Sequence, residues 1–80
     1  MKATGQAADW SDIYTRYHPR VLAFLERRLW GRQELAEDLT QETFTRVMRA
    51  GVVMRDPARI RSYLFRTANN LLISHLRRGG

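Results

Sequence analysis

Apolar side chains recur at intervals of three and four residues through almost all of this 80-residue chain, and nowhere alternate at period two for more than a few residues. The first spacing returns side chains to one face of an α-helix, whereas the second would line one face of a strand. The chain is therefore restricted to an all-α fold, a compact bundle of three main helices. The first is predicted from about Ser11 to Leu29, with Trp10, Ile13, Tyr14, Tyr17, Val21, Phe24, Leu25 and Leu29 toward the core. Pro19 interrupts it. The ring pushes His18 away from helical angles, so a kink is expected, or two short helices with the second beginning at Pro19.

Trp30, Gly31 and Arg32 supply a turn into a second helix, Gln33 to Ala50, ended by Gly51, which takes a left-handed conformation at no steric cost. At 100° per residue its inward side holds Ala36, Leu39, Thr43, Val47 and Ala50, with Phe44 at the margin. Glu34, Asp38, Gln41, Glu42, Thr45 and Arg49 occupy the other side, and Met48 sits on the border. The loop GVVMRDP follows, in which Asp56 is an acceptor for orphan amides and Pro57 suits a first helical turn. The third helix, Pro57 to about Arg78, is apolar over a wide arc: Ile60, Tyr63, Leu64, Thr67, Ala68, Leu71, Leu72, His75 and Leu76. That arc predicts the central, best-buried helix. On its far side Arg59, Arg66, Asn70 and Arg77 fall within about 40° of one another, beside Ser62, Asn69 and Ile73.

Several classes of function are disfavoured by what is missing. There is no cysteine, so disulfides and thiolate metal sites are excluded, in keeping with a reducing cytosol. No apolar run approaches the roughly 18 residues of a membrane span, and the polar start lacks a signal-peptide core. A soluble, cytoplasmic protein without membrane insertion is expected. Neither His18 nor His75 stands with a nucleophile or acid, and no histidine lies near the carboxylates of the second helix. No catalytic residues, metal site or cofactor are expected.

Charge divides the chain. Residues 1 to 43 carry 6 basic and 7 acidic side chains, whereas residues 44 to 80 carry 8 arginines against the single acid Asp56. The aligned arginines of the third helix suit phosphates, and the amide of Asn70 presents a donor and an acceptor side by side for a base edge. In the preceding loop, Val52, Val53 and Met54, with Arg55, are placed to pack beneath an unstacked base, unless Val52 and Val53 tuck into the core instead. The acids of the second helix repel DNA and attract a basic protein surface instead.

Two segments carry a resemblance: DLTQETFTRVMRAG, and, after a short loop, IRSYLFRTANNLLISHLRR. Together with Tyr14, Tyr17 and Val21 they resemble the second conserved region of extracytoplasmic-function (ECF) sigma factors, the promoter-specificity subunits of bacterial RNA polymerase. The likeness covers about residues 10 to 78, behind a flexible N-terminus at 1–9. The stretch beginning DPARIRSYLF is similar to the iron-starvation subgroup typified by ferric-citrate-uptake sigma factors. The resemblance implies that Asp38, Gln41 and Glu42, joined by Thr45, Met48 and Arg49, dock on the clamp helices of the polymerase β′ subunit. It also implies that the last helix and the loop before it read the minus-ten promoter element as non-template single strand. The residues concerned would be Val53, Met54, Arg55, Arg66, Thr67, Asn70 and Ser74, with Asn70 as the asparagine of a flipped-base pocket, and the aligned stripe of the same helix adds Arg59, Ser62 and Arg77 to the expected nucleic-acid contacts.

Few aromatics, only Tyr63 and Phe65, stand where housekeeping sigma factors carry a row of them, so melting is expected to need a well-matched promoter. The family's second promoter-binding domain is not in a chain ending Arg78-Gly79-Gly80, whose last two residues read as a truncated linker. An isolated domain is expected. The resemblance further implies an anti-sigma partner, membrane-spanning in the iron-starvation group. A different reading, a helical interaction module whose basic helix grips an acidic partner, stays open. A helix-turn-helix reader is disfavoured, since no short helix pair joined by a tight turn is visible.

Overall fold

The computed structural model describes residues 10–51 and 57–79, and every regular element among them is helical. Helix α1 spans Trp10–Leu29 and α2 spans Gln33–Ala50, while a 3-10 turn, Pro57–Arg59, leads into α3, Ile60–Gly79. The predicted all-α architecture is present. Asp56, the proposed start signal, lies outside the described residues.

Helix α1 runs as one element through Pro19, so of the two expected outcomes, a kink or a split, the split does not occur. The amide that proline lacks would have bonded the carbonyl of Thr15, four residues back. Thr15 and Pro19 are both exposed, so water can reach that carbonyl. The buried stripe of Val21, Leu25 and Leu29 lies on the other side of the helix and is not disturbed. In the turn that follows, the Arg32 amide donates to the Leu29 carbonyl at 3.2 Å. Both residues between them have positive φ, 44° at Trp30 and 80° at Gly31. Glycine adopts this region freely; a side-chain-bearing residue does so at about 1–2 kcal/mol. Trp30 is 88% exposed and recovers little of that by packing. At the far end of α2, Gly51 caps the helix at φ 70°, its amide donating to the Met48 carbonyl, as the sequence predicts.

One core unites the three helices. Val21, Leu25 and Leu29 meet Ala36, Leu39, Phe44 and Val47 of α2, and Ile60, Leu64, Ala68 and Leu72 of α3. The central helix is α2 rather than the predicted third one: it packs broadly against both neighbours, while α1 and α3 touch each other less. Only part of the apolar arc of α3 finds a partner, which leaves Tyr63 and Leu76 at 38% and 52% exposure. Being covered on two sides also widens the buried arc of α2 to take in Thr40 beside Thr43. Their hydroxyls donate to the carbonyls of Ala36 and Leu39, each at 2.7 Å, so burial leaves no orphan donor there. Ala50, assigned inward by the wheel, is exposed because it ends the helix beyond the last core contact at Val47.

Aromatic contacts close the remaining seams. Phe24 meets Phe65 edge-on at 5.4 Å, joining α1 to α3, and the Arg28 guanidinium covers the Phe24 ring at 4.0 Å. Tyr14 and His18 pack against Phe44 to join α1 to α2. The whole measures 48 × 20 × 16 Å. Since a helix with its side chains is about 10–12 Å across, every helix keeps one face at the surface.

Leu64 is fully buried, and Leu64→Ala should cost about 2–5 kcal/mol. A core of this size supplies on the order of 3–5 kcal/mol, so the variant should show no cooperative urea transition by circular dichroism at 25 °C. Trp30→Asn should raise stability by about 1 kcal/mol, because asparagine tolerates the left-handed region and no packing is given up. A thermal melt that is unchanged or lowered would show that the turn is not strained.

Candidate functional site

The exposed strip of α2 is what two-sided packing leaves uncovered. Asp38, Gln41, Glu42, Thr45 and Arg49 line one shallow, open depression there, together with Arg46. Gln41 is held in place from α1, its Nε2 donating to the Tyr14 hydroxyl at 2.8 Å. The Thr45 hydroxyl donates to the Gln41 carbonyl at 3.0 Å. Met48, the sixth residue of the predicted patch, stands round the corner, half exposed, in an adjacent groove of about 380 Å³ between α1 and α2. Trp10, Tyr14 and Phe44 give that groove its apolar floor, and Gln41 and Thr45 form the wall it shares with the acidic depression.

A second groove, also about 380 Å³, runs between α2 and α3. Thr67, Asn70 and Ser74 line it from one side and Glu42 and Arg46 from the other, with Tyr63 adding an aromatic ring. The structure thus gathers three of the predicted nucleic-acid residues around one cleft of ligand-binding size. Arg59, Ser62, Arg66 and Arg77 are exposed but do not line it. Arg59 belongs to the 3-10 turn, so the α-helical wheel places it only nominally in line with the others. Val53, Met54 and Arg55 lie outside the described residues. Among the described residues no group of three or more histidine, cysteine or acidic side chains is placed to hold a metal ion.

The sequence pattern alone assigns Tyr14, Tyr63 and Arg46 to neither surface. Yet Tyr63, Thr67, Asn70 and Ser74 follow one another at helical spacings of four, three and four, a stripe that a helical wheel can reveal. Arg46 stands four residues after Glu42, the favourable order for an ion pair. Its Nε and Nη2 both donate to Glu42 Oε2, at 3.2 and 2.9 Å. The two side chains are 58% and 48% exposed, so their pairing contributes only about 0.3–0.5 kcal/mol.

A family model described as Sigma-70 region 2 matches residues 13–80, a span that contains the acidic strip and the α2–α3 groove. The chain belongs to the Sigma-70 region 2 family. Among curated proteins, this region 2 domain is 41% identical over 81 residues to the ECF RNA polymerase sigma factor SigE of Mycolicibacterium smegmatis, an alignment covering 98% of the chain and 31% of that protein. It is 33% identical over 67 residues to the RNA polymerase sigma factor YlaC of Bacillus subtilis, covering 84% of the chain and 38% of the relative. The region 2 domain therefore spans about a third of the length of these relatives. No solved structure matches it with significance.

Proposed function

We propose that this region 2 domain acts in an ECF sigma factor, the subunit that gives bacterial RNA polymerase its promoter specificity in transcription initiation. Its role is binding rather than catalysis. The observation that carries the proposal is the family match over residues 13–80, which runs through both the acidic strip of α2 and the polar groove against α3. On this reading Asp38, Gln41, Glu42, Thr45 and Arg49 dock on the clamp helices of the polymerase β′ subunit, with Met48 as the apolar anchor. An exposed thioether beside an aromatic-floored groove suits such an anchor.

Thr67, Asn70 and Ser74 then hold a flipped base of the minus-ten non-template strand, and Arg59, Ser62, Arg66 and Arg77 carry its backbone along the outer face of α3. Capturing the base offsets part of an unstacking cost of a few kcal/mol. Val53, Met54 and Arg55, which lie outside the described residues, enter this reading only through the family resemblance, as members of a specificity loop. The site of action is the cytoplasm, where the polymerase is, and among the described residues no helix is long and apolar enough to cross a membrane. Placement in the iron-starvation subgroup rests on residues 56–73 alone, and neither relative's name carries it. The exposed arginines outside the groove favour a second reading, capture by an acidic partner such as an anti-sigma regulator.

A pull-down of core polymerase, or of a β′ clamp-helix fragment, should succeed with the wild type and fail with Gln41→Ala plus Glu42→Lys. A folded wild type that captures neither would move the acidic-partner reading ahead. Asn70→Ala should weaken binding to minus-ten single strands by about 1–3 kcal/mol for the preferred base only. Arg77→Ala should weaken all oligonucleotides alike and flatten the salt dependence. Equal losses on every oligonucleotide for Asn70→Ala would remove it from the base pocket.

A further inference from the structure

Glu42 and Arg46 are common to the acidic depression on α2 and to the groove between α2 and α3. They are also paired with each other, both Arg46 donors reaching the one carboxylate oxygen Oε2. Arg46 therefore stands in the wall of the groove with its guanidinium turned onto an acid that belongs equally to the other surface. From the groove side, a phosphate following a base seated at Asn70 would find Arg46 and Arg78 as the cations of the lining. From the depression side, a basic partner would find the carboxylate of Glu42. Each ligand therefore competes with the ion pair itself for one of its two members, and displacing the pair from either side frees the other member.

We propose that Arg46 is a backbone contact for single-stranded nucleic acid in the α2–α3 groove, restrained by Glu42 in the free domain and released when Glu42 engages a basic protein surface. The inference rests on the function proposed above and adds the regulation of its nucleic-acid groove. Because the pair is exposed, its restraint is small, about two-fold in affinity. Coupling between the surfaces is reciprocal: a single strand that draws Arg46 away exposes Glu42 to the protein partner by the same factor.

The test is a mutant cycle read by fluorescence anisotropy with labelled single-stranded oligodeoxynucleotides across a salt series. Arg46→Gln should weaken binding and lower the slope of log affinity against log salt by about 0.7, the loss of one phosphate contact on a single strand. Glu42→Gln should tighten binding, and by about two-fold more in the wild-type background than beside Arg46→Gln. A β′ clamp-helix fragment should strengthen oligonucleotide binding by the wild type more than by Arg46→Gln. An equal gain from Glu42→Gln in both backgrounds would mean that the carboxylate only repels phosphate, and would overturn the proposal. So would an unchanged salt slope for Arg46→Gln. Asn70→Ala separates this failure from the larger one. A base-dependent Asn70 effect without Arg46 coupling sinks only this inference, whereas a wild type that binds no oligonucleotide sinks both.

Discussion

Everything this domain presents to its surroundings depends on α2 being packed from two sides. A helix with one neighbour needs one apolar stripe; α2 has two neighbours and buries Ala36, Leu39, Thr40, Thr43, Phe44 and Val47. What is left is a narrow strip whose direction the core fixes. Asp38, Gln41, Glu42 and Arg49 occupy that strip, so the orientation of the acidic surface is set by the same contacts that hold the chain folded. The buried threonines serve this arrangement. Each returns its hydroxyl to the carbonyl four residues back, which allows a small residue where two helices approach from different sides without leaving a polar atom unpaired.

The fold is legible in the sequence because its signal is periodic. Three amphipathic stretches, the Gly51 cap and the turn at Gly31 each follow from local chemistry, and the boundaries lie within a residue or so of expectation except at the start of α3, where Pro57–Arg59 form a 3-10 turn and the α-helix begins at Ile60. The rank order of burial is not legible. The apolar arc of α3 is wider than its packing requires, so Tyr63 and Leu76 point to a central helix where the fold has a peripheral one. Thr40 is assigned to neither side by the sequence, and its full burial follows from α2 being covered on two sides. Pro19 suggests a break only while its missing amide is counted without asking which side of α1 loses it.

The candidate site divides in the same way. Residues on one helix face, such as Asp38, Gln41 and Glu42, can be grouped from a wheel alone. A groove between helices cannot, because it depends on which faces meet. The pattern of α3 nominates Asn70, the family resemblance adds Thr67 and Ser74, and only the packing of α3 on α2 sets Arg46 and Glu42 opposite them. Tyr14 is the sharpest example. It is separated from Gln41 by 27 positions, yet it holds the amide of that side chain at 2.8 Å.

The strength of the Glu42–Arg46 pair matters because it is small. A buried ion pair would be costly to separate, since each charge would be left desolvated without its partner. It would lock the two surfaces together. An exposed pair worth a fraction of a kcal/mol can be exchanged for contacts with a protein on one side and a phosphate on the other, at little cost to the fold. The acids and arginines that divide the sequence into two halves of opposite charge thus meet on α2, at Glu42 and Arg46. On the coupling proposed above, that point is where an acidic surface and a basic one influence each other.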